Sequence, residues 1–257
     1  MILEIFAGSF EYTFKNKKAI GSILKVGILS ILSFLILPML LMYGFSYRII
    51  IIGLTGNISY TNDSMPDFNN IGRMLYEGLK VLLVNLIYFL PTIAITTIIV
   101  FHDRPNINFN NLSSFTINFG FSSTLIAILL SFISFIFIST AIPHMINNNG
   151  SFRYAFKIKD LIKLIKYTGI VNYLKFFIIS LVLFIIFTIT AFIISQFLII
   201  LIAIVHIAIY SIDLTASTFG YLNIIMFLIC YLFSIGIYSI IESRIISFIY
   251  NEDGLEE

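Results

Sequence analysis

The sequence predicts an all-α fold, that of a polytopic helical membrane protein, and three observations carry the prediction. Only 11% of the residues are charged, whereas 59% belong to the hydrophobic set. Mean hydropathy is +1.03. Several apolar runs reach or exceed the roughly 20 residues a helix needs to cross a bilayer. About five apolar membrane segments are expected, with an N-terminal amphipathic helix and a basic amphipathic helix in the middle. No stretch of the 257 residues is both polar and long enough for a soluble domain, so 1–257 reads as a single integral membrane domain.

Residues 1–18 read as an amphipathic surface helix. Ile2, Leu3, Phe6, Phe10 and Phe14 share one side, Glu4, Glu11, Lys15 and Lys18 the other, and Glu11 and Lys15 have the spacing of an intrahelical ion pair. Such a helix lies in the membrane interface or packs on the rest of the protein. The run 20–54 is too long for one upright span. Pro38 and Gly44 fall near its middle, where each can break or kink a helix, so it is a broken span or a hairpin that enters and leaves on one side. This run is also far longer than a signal-peptide core, and no small-residue cleavage site closes it, so the N-terminus is expected to be retained.

A polar loop is expected from Thr55 to Asn70. Membrane helices are then expected at 79–100, 121–142, 172–210 and 221–241, with Pro143 closing the second. The run 172–210 contains neither Gly nor Pro. It reads as one long helix whose end past Gln196 tilts or follows the interface, and whether it crosses once or twice stays open. Residues 151–167 form the basic surface helix, where Ile158, Leu161, Ile162 and Ile165 oppose Lys159, Asp160, Lys163 and Lys166. The order span, surface helix, span occurs around 20–100 and again around 121–195, a weak echo compatible with duplication.

Positive charge sets orientation. The densest cluster, Arg153, Lys157, Lys159, Lys163, Lys166 and Lys175, should face the cytoplasm. Two spans separate it from Arg48, Arg73 and Lys80, which puts these on the same side and leaves Arg104 outside. Lys15, Lys17, Lys18 and Lys25 join the inner side if 20–54 forms a hairpin or crosses twice, and not if it crosses once. The hairpin is the favoured reading. The expectation is a multi-pass protein of the cell membrane with both termini cytoplasmic.

With the apolar pattern placed, the residues after the first span carry a likeness. Gly44-Phe45-Ser46-Tyr47-Arg48-Ile49, Met65-Pro66-Asp67-Phe68, Gly72, Glu77-Gly78-Leu79-Lys80 and Tyr88-Phe89-Leu90-Pro91 resemble the signature of the DUF4013 family, uncharacterised multi-span proteins frequent in methanogenic archaea. Gly44, Tyr47, Arg48, Pro66, Phe68, Gly72, Gly78, Lys80 and Pro91 are the matching positions. Gly150-Ser151-Phe152 with Ala155-Phe156 resembles its second half. Glu77 stands where the family usually has Asp, and Asn70 and Ile71 lie where an acidic residue and Trp are frequent. The resemblance implies a polytopic archaeal-type membrane protein and supplies no activity.

Few residues offer chemistry. Arg48 lies close to hydrocarbon, and an intramembrane charge is a functional candidate by default. It either snorkels to lipid phosphates or pairs with Asp67 or Glu77. Glu242 and Arg244 are read as snorkelling at the membrane edge. The three histidines fall on different levels, one cysteine (Cys230) excludes a disulfide, and no H-E-x-x-H, P-loop, dinucleotide or G-x-S-x-G pattern exists. No cofactor, metal or catalytic set is therefore expected, and a formal charge of +2 gives no reason to expect nucleic acid. Asn85 and Gln196 read as interhelical hydrogen-bonding residues. Arg48, Lys157, Lys159, Lys163 and Lys166 are the candidate contacts to anionic lipid of the cytoplasmic leaflet, or to a partner membrane protein. The expected role is a non-enzymatic organiser of lipid or of such a partner. The alternative is a small-molecule transporter or channel, built around the break near Pro38 and Gly44.

Overall fold

The computed structural model describes residues 2–15, 19–55, 65–103, 121–210 and 216–252, all in helices apart from short connections. Eight α-helices occur among them: α1 (Ile2–Lys15), α2 (Ala19–Ile31), α3 (Ile36–Thr55), α4 (Ile71–Asp103), α5 (Phe121–Asn147), α6 (Ile158–Thr168), α7 (Ile170–Tyr210) and α8 (Ala216–Glu252). A short 3-10 turn, Phe152–Phe156, precedes α6. Five stretches are long and apolar enough to cross a membrane: Ile36–Thr55, Ile71–Ile99, Thr124–Asn147, Ile170–His206 and Phe219–Tyr250. The protein is an all-α, multi-pass membrane protein. Its chain forms two compact units, one of residues 1–79 with 178–257 and one of residues 80–177.

In the first unit, α1, α2 and α3 all pack on α8. Small residues permit the close approach. Gly236 of α8 lies where a Cβ would come within 3.0 Å of the Val26 carbonyl oxygen, and a Cβ at Gly27 of α2 would overlap the Phe233 ring. Tyr12, Val26, Met42, Phe45, Ile49, Met65, Met74 and Ile240 form the shared core. The run 20–54 is thus two helices, α2 and α3, packed together and joined by residues 32–35. The break falls ahead of Pro38, which sits in the first turn of α3, where a missing amide costs nothing.

Helix α1 buries a different ridge from the expected one. Ile5, Phe6, Ser9, Tyr12 and Thr13 are buried, while Phe14 is half exposed and stacks on Phe10 with ring centroids 5.9 Å apart. The Ser9 and Thr13 hydroxyls donate to the Ile5 and Ser9 carbonyls at 2.7 and 2.8 Å. Satisfied within the helix, these small residues let it pack closely, and hydropathy alone does not mark them. The spaced Glu11–Lys15 pair is present at 2.8 Å on the exposed side.

In the second unit, neither proline ends a helix. Pro91 lies inside α4 and Pro143 inside α5, so the expected stop at Pro143 is wrong. Hydroxyls hydrogen-bond the helix backbone upstream of both prolines. Ser134 donates to the Tyr88 carbonyl at 3.0 Å and bonds Thr92 at 2.7 Å. Ser139 and Thr140 donate to the Ile136 carbonyl at 3.0 and 2.9 Å. What ends α5 is backbone conformation: Asn149 and Gly150 take φ of 57° and 65°, and the Gly150 amide donates to the Ile146 carbonyl at 3.3 Å. Helix α4 begins at Ile71, eight residues earlier than the apolar pattern implied, because its polar first turns pack on α3. Helix α7 is continuous over 41 residues, about 60 Å at 1.5 Å per residue, twice a hydrocarbon core of about 30 Å.

Candidate functional site

The family-like residues before Leu79 assemble around one guanidinium. Arg48, on α3, donates from Nε to Glu77 Oε2 of α4 at 3.0 Å. Its Nη1 donates to the Asp67 carbonyl at 2.9 Å, the Asn69 carbonyl at 2.8 Å and Asn69 Oδ1 at 3.0 Å; its Nη2 donates to the Asn70 carbonyl at 3.4 Å. Three backbone carbonyls of the 67–70 segment therefore converge on one side chain. The other Glu77 oxygen takes Arg73 Nε at 2.9 Å. Arg48 and Glu77 are 13% and 8% exposed, Arg73 71%. Such geometry matches what a buried pair needs, since desolvation is offset only when the remaining donors and lone pairs are filled.

The local sequence explains the assembly. Gly44 and Gly78 bring α3 and α4 into backbone contact: a Cβ at Gly44 would overlap the Met74 carbonyl, and one at Gly78 the Leu40 carbonyl. Tyr47 is buried beside them. Met65 is buried and Phe68 stacks on Phe45 at 4.6 Å, with Lys25 Nζ 5.4 Å from the Phe68 ring. Asn70, at φ 50°, turns the chain into α4, and its carbonyl accepts the Met74 amide at 3.0 Å; asparagine tolerates this left-handed conformation better than most residues. Gly72 has open space around it, and no packing accounts for it. Lys80 and Pro91 belong to the second unit, where Lys80 Nζ donates to the Gly150 carbonyl at 2.6 Å.

Beside this cluster opens a cavity of about 480 Å³, walled by Ile51, Ile52 and Pro66 and edged by Arg48, Asn69 and Arg73. Arg48 presents little to it, because its donors are engaged. Arg73, 71% exposed, is the more accessible of the two guanidinium groups at the cavity's edge, and Asp67 and Glu77 also line it.

A second charge lies deeper. Arg244 of α8 is 1% exposed, with its guanidinium carbon 4.5 Å from the Tyr12 ring and 4.6 Å from the Phe248 ring. Gly53 of α3 faces the same region, where a Cβ would overlap the Ser247 side chain and lie 3.3 Å from Arg244 Nη1. The expectation that Arg244 snorkels to the membrane edge is thereby corrected: aromatic faces from α1 and α8 enclose it. An arginine in an otherwise apolar helix was the visible signal, and its aromatic partner on α1, 232 positions away, was not. Nearby, the Tyr238 hydroxyl pairs with Ser180 of α7 and donates to Glu242 at 3.3 Å.

The basic helix α6 buries Leu161 completely against the second unit, while Ile158 and Ile162 stay 55% and 40% exposed. Lys159, Lys163 and Lys166 are exposed on the flank next to those isoleucines. Lys157 differs. It lies 3.7 Å over the Tyr154 ring and 3.8 Å from Asp160. Gln196 and Asn223 pair across α7 and α8 at 3.1 Å.

No curated protein and no solved structure matches this chain. One family model does, over residues 28–196, a stretch that holds both the Arg48 cluster and the basic helix α6. The chain belongs to the DUF4013 family, described as proteins of unknown function.

Proposed function

We propose that this protein acts without catalysis, as an organiser of membrane lipid at the cytoplasmic face of the cell membrane. One observation carries the reading: α6 presents exposed Ile158 and Ile162 beside exposed Lys159, Lys163 and Lys166. A helix laid in the interface needs this arrangement, with side chains for the acyl boundary flanked by ammonium groups at phosphate level. Each lysine near an anionic surface contributes about 1 kcal/mol. The positive clusters motivate the cytoplasmic placement, with both chain ends on that side. The test is native mass spectrometry of the protein extracted in its own lipid, wild type against K159E/K163E/K166E. Retained anionic lipid should fall several-fold in the triple variant. Unchanged retention would remove α6 as the working face, and a stoichiometric bound protein would move the role from lipid to a partner.

The cavity beside Arg73 favours a second reading, a transporter of small anions. Uptake in proteoliposomes that is lost on Arg73→Gln would support it, and no uptake across a broad anion panel would end it.

A further inference from the structure

We propose that the α2–α3 hairpin is a wedge in a single leaflet: it enters the bilayer from the side of Lys25 and Arg48, turns among acyl-chain ends, and leaves by the same side. The inference is independent of α6. It rests first on length. Helix α2 has 13 residues, about 20 Å at 1.5 Å per residue, and so falls short of a hydrocarbon core of about 30 Å. Charges narrow the depth further. Lys25 stands six residues before the end of α2, and Arg48 twelve residues after the start of α3. The uncharged part of α3 between tip and Arg48 is therefore about 18 Å long, close to the depth of one leaflet.

The turn itself belongs in hydrocarbon. A hairpin that crossed fully would put its turn in water, where Gly, Asn, Asp and Ser are usual. Here the tip is Leu32-Ser33-Phe34-Leu35-Ile36-Leu37, with Phe34 77%, Ile36 69% and Leu37 62% exposed. Irregular backbone at depth is costly unless its polar groups are filled, and four amides of this turn are paired. The amides of Leu32, Ser33, Leu35 and Met39 donate to the carbonyls of Ile28, Ser30, Leu32 and Leu35 at 3.0, 3.1, 2.9 and 3.3 Å. Pro38 has no amide to satisfy. Acyl chains are the occupant that fits the tip, because its exposed side chains are apolar, as are the exposed Ile224, Ile225, Leu228 and Ile229 of α8, the helix on which α2 and α3 both pack. The crossing helices are then α4, α5, α7 and α8.

The chain contains no tryptophan, so Phe34→Trp and, separately, Leu37→Trp each introduce a single fluorescent reporter at an exposed position. The full-length variants are reconstituted in vesicles of phosphatidylcholine brominated at shallow, middle or deep acyl positions. Blue-shifted emission quenched most by the deep bromines, and unaffected by aqueous iodide, is expected at both positions. Quenching by shallow bromines together with iodide would place the turn at the opposite surface and overturn the wedge. Blue emission insensitive to bromines at every depth would also overturn it, because protein would then cover the tip.

Discussion

Arg48 and Glu77 lie 29 positions apart and meet as a buried ion pair at 3.0 Å, with the 67–70 backbone folded over the guanidinium. The pair joins α3, α4 and their connecting loop through one side chain. A charge so placed is a structural organiser, and its loss should unfold the region instead of altering a surface.

Glu77→Gln should be strongly destabilising, by about 3–5 kcal/mol, because it leaves the Arg48 charge buried without its counterion. Replacing both residues, as in Arg48→Met with Glu77→Leu, should cost less than either single change. Thermal unfolding in detergent of the four proteins checks this. A double variant as unstable as the sum of the singles would refute it.

The two motif glycines separate from the third. Gly44→Ala and Gly78→Ala should each destabilise by about 1–3 kcal/mol or more, since the added methyl meets a backbone carbonyl that cannot yield. Gly72→Ala should be neutral or stabilising by up to about 1 kcal/mol, because its methyl enters open space in a helix. Parallel melting curves distinguish the positions, and equal effects at all three would discredit the close α3–α4 crossing.

Arg244 should depend on Tyr12. A double-mutant cycle with Arg244→Met and Tyr12→Leu is expected to show a coupling of about 0.5–2 kcal/mol, the range of a partly to fully desolvated cation–π contact. Arg244→Lys should not restore wild-type stability, because an ammonium cannot lie flat between two rings. Additive single effects would mean that the ring and the guanidinium do not interact.

Tyr88 both stacks and donates. Its ring stacks with Phe137 and Phe156 at 5.6 and 5.8 Å, and its hydroxyl donates to the Ala155 carbonyl at 2.7 Å. Tyr88→Phe should cost about 1 kcal/mol, the net worth of one hydrogen bond, and Tyr88→Leu clearly more. Equal stability of the Phe and Leu variants would remove the stacking from the account.

Hydropathy read the long helices well, because a span must be apolar along its length whatever it packs on. It misplaced their ends. Pro143 looked like a stop because a proline lacks an amide, yet α5 runs through it and continues to Asn147. The Arg48 cluster was half legible. Its partner Glu77 stood among the candidates, but the three carbonyls that complete the site come from backbone, which carries no sequence signal. In α1 the buried ridge runs through Ser9 and Thr13, whose value lies in small size, and a hydrophobicity pattern cannot rank residues by how closely they let another helix approach.

Composition and the lengths of apolar runs were enough to make this an all-α, multi-pass membrane chain, since the bilayer imposes its thickness and its intolerance of unpaired backbone on any sequence. The grouped motif residues identified the family before any contact was known. Only the tertiary structure decided that Gly44 and Gly78 are crossing points, that Arg48 is held by Glu77 and backbone carbonyls, and that Arg244 is enclosed by Tyr12 and Phe248. Those are relations between residues far apart in the chain. They follow from where helices of nearly uniform hydropathy happen to touch, and a one-dimensional pattern does not encode that.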